Sequence, residues 1–394
     1  MKQLLLAVGL LLLFSTEIVR VYLIMPFPGS QQSNTIGIAY WLHNNIGWLR
    51  IVGLLLIVYP VIHIFKQAKT WKKVLLVSGL ALYAVIFYFF NFRFLADKMF
   101  YQPTDITFAR AAANNIPGDK LVIGVTVNGE SKAYPIQLIG YHHQVQDSLG
   151  NTPIMVTYCT VCRTGRVFSP VVNGQKETFR LVGMDHFNAL FEDATTKSWW
   201  RQVSGEAIAG PLKGRKLAEI PSTQATLAAW MAAYPNSGVL QPDTSFKLQY
   251  EHLADFDKGT IDNHLEKRDS GSWQFKSWVV GIVHGKWAKA YDWNDLVRKE
   301  VIQDSLPGLP VLLLLESDTT TFHIWNRRLD GQYLQFVKGR GEDIFRDLNT
   351  QSAWNMNGVC IEGPLKGQQL LPVQSYQEFW HSWSTFHPGT ERYQ

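Results

Sequence analysis

Two patterns of apolar and polar positions divide the chain. Residues 4–25, 48–65 and 74–92 are long apolar runs, the first interrupted late by Glu17 and Arg20. Each approaches the roughly 20 residues that a helix rising about 1.5 Å per residue needs to cross about 30 Å of hydrocarbon. They predict three transmembrane helices. From residue 118 onward the apolar positions come in short alternating segments punctuated by Gly, Pro and Asn. Residues 121–127, 154–158, 166–171 and 178–182 are examples, and they predict strands. One amphipathic helix is expected to close each set of strands.

Loop charge orients the spans. The connection between the second and third runs carries Lys66, Lys69, Lys72 and Lys73, whereas residues 26–47 carry neither Lys nor Arg. The positive-inside rule places the lysine loop in the cytoplasm. The amino terminus is then cytoplasmic, and everything after Phe92 is extracytoplasmic. The first run resembles a signal sequence at its start, but no Ala-x-Ala site follows, so it reads as an anchor. Glu17 and Arg20 share one helical face and are expected to pair at the membrane edge. The location expected is a multi-pass protein of the inner (cytoplasmic) membrane, with a periplasmic carboxyl-terminal domain.

The strand-rich part repeats itself. Displaced by 157 residues, Gly124 meets Gly281, Lys132-Ala133-Tyr134 meets Lys289-Ala290-Tyr291, and Asp147-Ser148-Leu149 meets Asp304-Ser305-Leu306. The displacement shortens to 154, where Asp193, Thr196, Ser198 and Trp200 meet Asp347, Thr350, Ser352 and Trp354. At 153, Gly210-Pro211-Leu212-Lys213-Gly214 meets the identical Gly363-Pro364-Leu365-Lys366-Gly367, and Trp230 meets Trp383. The expected fold is three amino-terminal transmembrane helices plus a β-rich α+β ectodomain made of two tandem, related halves. The divisions are a membrane anchor (1–92), a juxtamembrane connector (93–117), a first repeat (118–243), a polar linker (244–275) and a second, degenerate repeat (276–394). The Gly-Pro-Leu-Lys-Gly segment reads as a tight turn, because it lacks the Gly-Lys-Ser/Thr ending of a phosphate loop.

Composition sharpens this division. Only 18% of the 394 residues are charged against 46% hydrophobic, and the apolar runs account for the deficit. Three cysteines exclude a disulfide-rich secreted scaffold. A net charge of +5 is too mild for a nucleic-acid binder. The bilayer is the one partner that the sequence specifies. There is no Gly-x-Ser-x-Gly elbow and no Gly-x-Gly-x-x-Gly fingerprint.

Residues kept in both halves are explained by a shared fold, and residues found in one half are not. Cys159 and Cys162 correspond to Glu316 and Thr319. His142, His143 and His186 correspond to Lys299, Glu300 and Arg340. Cys-x-x-Cys after an apolar strand, with Gly165 three residues on, resembles a metal knuckle, in which a left-handed glycine lies beneath two thiolates. A thioredoxin-type pair would open a helix, whereas residues 166–168 continue as a strand. Cys159, Cys162, His142 and His186 are the candidate ligands, for copper or zinc. Asp185 is placed to orient the His186 imidazole, and Met184 is a soft thioether candidate. His143, adjacent to His142, points elsewhere. Cys360 aligns with Ala207 and stands apart from the pair. Arg163, Arg166, Arg180 and Arg201 lie near the knuckle in sequence, where they would lower the thiol pKa values, bind an anion, or stand as solvated charges on a strand face. A redox-cycling disulfide, a structural disulfide and two inert buried thiols remain open as alternatives.

At these residues the chain resembles a bacterial family that carries the domain of unknown function 3179. The resemblance rests on His142-His143-Gln144-Val145-Gln146-Asp147, on Val-Thr-Tyr-Cys-x-x-Cys at residues 156–162, and on the Gly-Pro-x-x-Gly turn at 210–214. It implies that His142 belongs to the site, while His143 replaces the family's Glu. The family lends no reaction. Two other classes of function stay open beside the metal-binding one: a thiol–disulfide oxidoreductase, and a non-catalytic envelope module with structural cysteines.

Overall fold

The computed structural model describes residues 1–339 and 343–394, so Arg340, the counterpart of His186, lies outside the described residues. The described chain forms two compact units, Met1–Tyr101 with Glu177–Lys216, and Gln102–Lys176 with Leu217–Gln394.

The first unit opens with three helices long and apolar enough to cross a membrane: α1 (Lys2–Ile24), α2 (Ile36–Gln67) and α3 (Thr70–Phe92). α2 starts twelve residues before the apolar run at Trp48 and includes Pro60. Small residues bring α1 and α2 together. A Cβ on Gly9 would lie 2.5 Å from Ile57, and one on Gly53 would lie 2.7 Å from Leu13. Close approach at small residues is a common way for helices to associate where lipid removes the hydrophobic incentive. The Glu17–Arg20 contact exists, at 3.9 Å, within a larger network. Glu17 accepts from Arg50 Nε at 2.7 Å and from Asn91 Nδ2 at 2.9 Å, so one polar group on each helix meets the others. Pairing of this kind is how ionisable groups survive among transmembrane helices.

The same unit contains an antiparallel sheet of strands Phe179–Asp185, Asn188–Asp193, Trp199–Arg201 and Ala207–Ala209. Asp193 ties its turn. Its Oδ2 accepts from Thr196 Oγ1 at 2.7 Å and from the Trp200 indole at 2.9 Å. Gly183 is required by close approach, because a Cβ there would lie 2.3 Å from the Ile24 carbonyl.

The second unit is β-rich, built of several small sheets. In its first half, strands Leu121–Val127 and Glu130–Pro135 pair, helix Ile136–His142 follows, and strands Gln144–Leu149, Thr152–Cys159 and Thr164–Phe168 form a meander. In its second half, strands Trp278–His284 and Trp287–Asp292, helix Trp293–Lys299, and strands Val301–Leu306, Leu309–Leu315 and Phe322–Asn326 follow in the same order. Contacts match as well. Trp230 packs over Gly124, and Trp383 over Gly281. Asp147 accepts from Lys132 and Tyr134, and Asp304 from Lys289 and Tyr291. Asp347 holds Thr350 and the Trp354 indole as Asp193 holds Thr196 and Trp200. The polar stretch 244–275 forms helix Lys247–His252 and buries Tyr250 and Phe256.

Candidate functional site

The Cys-x-x-Cys segment is the tip of a β-hairpin. Cys159 ends one strand and pairs with Thr164, which begins the next. The Arg163 amide closes the turn on the Thr160 carbonyl at 3.2 Å. The left-handed residue is Arg163, with φ +53°, not the expected Gly165. Gly165 is needed for space instead, since a Cβ there would lie 2.6 Å from Ile123. The pair therefore sits between strands, as the sequence of residues 166–168 predicts.

Both cysteines are thiols with no solvent exposure. Cys162 is hydrogen-bonded with Cys159 and with His381, which lies on helix Trp380–Phe386 of the second half. Burial pushes the Cys162 thiol well above its usual pKa, and the bond with Cys159 adds to the effect. Burial lowers the His381 pKa against the opposing pull of Cys162, so a neutral imidazole faces the thiol. The His381 ring stacks on Phe275 at 4.3 Å, and Nδ1 meets the Phe275 carbonyl at 3.2 Å.

Lys276 is the second basic neighbour. Its ammonium donates to the Val161 carbonyl inside the Cys-x-x-Cys turn at 2.6 Å. Burial lowers its pKa to about 8, despite the two cysteines pulling it up. Glu266, its pKa raised by burial, lies near Thr160 of the same turn. The turn thus carries two thiols, an imidazole, an amine poised near neutral pH, and a carboxyl group.

The second half also clamps the turn from outside. The Phe379 amide donates to the Cys162 carbonyl at 2.9 Å. Glu378, fully buried, binds Arg166 and accepts from Thr164 Oγ1 at 3.1 Å and from Ser382 Oγ at 2.8 Å. Arg163 donates to Gln377 at 2.9 Å and to the Phe256 carbonyl at 3.1 Å, with its guanidinium 3.7 Å from the centre of the Trp278 ring. These arginines are structural cations with partners rather than strand-face charges.

The expected histidines take other positions. His142 Nε2 meets the Tyr250 hydroxyl at 2.6 Å among Phe246 and Tyr141. His143 caps its helix with φ +61°, and its Nδ1 meets the Tyr141 carbonyl at 3.1 Å; burial lowers its pKa to about 4. His186 belongs to the first unit, where Asp185 Oδ1 orients its Nδ1 at 2.7 Å, as the sequence predicts. Met184 is buried in the strand before it. Cys360 lies in the core against Trp354. Among the described residues no group of three or more His, Cys, Asp and Glu side chains is arranged to hold a metal ion.

His381, Lys276 and Glu378 are the residues that the sequence reading omits. The residue correspondences along the sequence carry a signal for two of them. His381 stands where the first half has Ala228, and Glu378 where it has Ala225.

A family model described as a protein of unknown function, DUF3179, matches residues 102–390. No curated protein and no solved structure matches the chain.

Proposed function

The chain belongs to the DUF3179 family, and we propose that it is a membrane-anchored protein whose second unit works outside the cytoplasm as a reversible dithiol site. One observation carries the reading: Cys162 is bonded at once with a second thiol and with an imidazole. In the proposed reaction a low-molecular-weight disulfide is the oxidant. Cys162 loses its proton to His381 and attacks one sulfur of that disulfide, releasing the first thiol. Cys159 then displaces the second, leaving a Cys159–Cys162 disulfide. Two protein thiols are oxidised, one external disulfide is reduced, and two small thiols leave. Lys276, beside the turn, favours the thiolate that forms in the first step.

The second reading is a soft metal, copper or zinc, held by Cys159 and Cys162. Complete burial of both sulfurs favours it, because closed sites are typical of structural metals and thiolates select soft ions. His381 then supplies the nitrogen expected of His142 or His186. The matching contacts of the two halves support their origin in a tandem duplication.

The two readings separate in one experiment. The full chain is purified anaerobically in detergent, and its thiols and bound metals are counted before and after a low-molecular-weight disulfide is added. A metal-free protein that loses two thiols, and regains them with reductant, supports the dithiol reading. Stoichiometric metal that disappears in Cys159→Ser with Cys162→Ser replaces that reading with the second one.

A further inference from the structure

The first unit contains a cavity that the thiol site does not use. Its volume is about 490 Å³, within the usual range for small-molecule sites. One wall is the start of α2, with Ile36 and Tyr40, and the other is the sheet edge and turn that carry Asp185, Arg201, Glu206 and Lys213. Three observations bear on it.

The first is an ordered charge relay. Asp185 Oδ2 accepts from Arg201 Nε at 2.9 Å and from Arg201 Nη2, while Oδ1 takes His186. The second half has Gly339 where the first has Asp185, and Asn355 where it has Arg201. The group therefore exists in one half only and is free of the explanation that covers shared residues. The second observation is the turn itself. His186 and Phe187 have φ +50° and +68°, a pair of left-handed residues in a two-residue hairpin. Such turns favour Asn-Gly, and side chains held there carry strain that tends to mark function. The third is charge left over. Glu206 and Lys213 both face the cavity, and neither has an ion-pair or hydrogen-bond partner for its charged group among the described residues.

We propose that this cavity binds a phosphoethanolamine group, with the phosphate on Arg201 and Lys213 and the primary ammonium on Glu206. Planar guanidinium donors suit phosphate oxygens, and a carboxylate suits an ammonium that still has N–H donors. The group comes from a membrane lipid. α2 runs from the cavity wall straight into its apolar span, and Ile38 and Trp41 on the same helix are 60% and 54% exposed. Apolar surface for acyl chains therefore begins beside the cavity. The inference rests on the membrane placement proposed above and is independent of the thiol chemistry.

The test uses the full chain in lipid nanodiscs, with lipids that stay bound counted by native mass spectrometry. Wild type is expected to retain phosphatidylethanolamine about tenfold better than phosphatidylcholine, whose ammonium has no N–H, or phosphatidylglycerol, which has no cation. Lys213→Ala and Glu206→Gln are expected to lower that retention about tenfold while leaving the thermal midpoint unchanged. Equal retention in the variants, or equal retention of phosphatidylglycerol, overturns the proposal. Free O-phosphoethanolamine provides a second arm: if it raises the midpoint of wild type but not of the variants while no lipid is retained, the chemistry stands and its source is soluble. A chain that enters no nanodisc overturns the membrane placement instead.

Discussion

Cys162 and His381 lie in opposite halves of the second unit and share a hydrogen bond. Neither half alone holds both partners. The turn that carries the thiols is complete only when helix Trp380–Phe386 packs behind it.

His381→Asn removes the proton acceptor of the proposed exchange. General-base assistance is worth about 10²–10⁴-fold, so loss of both thiols to a low-molecular-weight disulfide is expected to slow by at least about 10²-fold. A thiol count against time measures it. An unchanged rate with the fold intact assigns His381 to packing alone.

Lys276 predicts a pH signature. Its folded-state pKa, about 8, lies below its ordinary value of 10.5. Between these values the unfolded chain binds more protons than the native one, so this group makes stability rise as pH rises through the window. The limiting slope is about 1.4 kcal/mol per pH unit. Below about pH 8 the ammonium is buried charged, and the native state carries the full penalty. Lys276→Met is therefore expected to raise the unfolding midpoint at pH 7 and to lose the rise between pH 8 and 9. Parallel midpoint-versus-pH curves for the two proteins would rule this out.

Glu378 neutralises Arg166 where water does not reach. Glu378→Gln leaves a buried cation and is expected to destabilise the chain by about 3–5 kcal/mol. Denaturant unfolding of the full chain in detergent measures it. Replacing Arg166 by Met in the same chain is expected to recover part of the loss. If the double variant is no better than the single one, the damage comes from a source other than the unpaired charge.

The two glycines beneath tryptophans test the likeness of the halves. A Cβ on Gly124 would lie 2.3 Å from Trp230, and one on Gly281 would lie 2.1 Å from Trp383. Gly124→Ala and Gly281→Ala are each expected to cost about 1–3 kcal/mol through overpacking. Similar losses in both are the expected result. A loss confined to one would show that the two contacts do different work.

Orientation is open to labelling. Lys69→Cys lies between two spans, and Lys247→Cys lies at an exposed position of the second unit. A membrane-impermeant maleimide applied from outside sealed cells is expected to label the second and spare the first. The reverse pattern inverts the topology.

Much of the fold was legible in the chain. Apolar length alone determines three membrane-length helices, because the thickness of hydrocarbon sets a simple threshold. Residues 166–168 show that the cysteines turn back into a strand, since local propensity and spacing govern a hairpin. Asp185 beside His186 is a contact between sequence neighbours, and it formed as expected. Arg163 in place of Gly165 as the left-handed residue is a local misreading. The reason for that glycine, the approach of Ile123, comes from a strand far off in sequence.

What the sequence by itself determined was therefore short-range: helices by length, strands by alternation, the hairpin by its turn, and the family by its motifs. What tertiary structure decided was which distant groups meet. His142 turned to Tyr250, while His381, Lys276 and Glu378 came to the thiol turn from the second half. Local propensity acts over a few residues. A buried thiol or cation takes its partners from whichever segments pack against it, and desolvation makes those partners the deciding term.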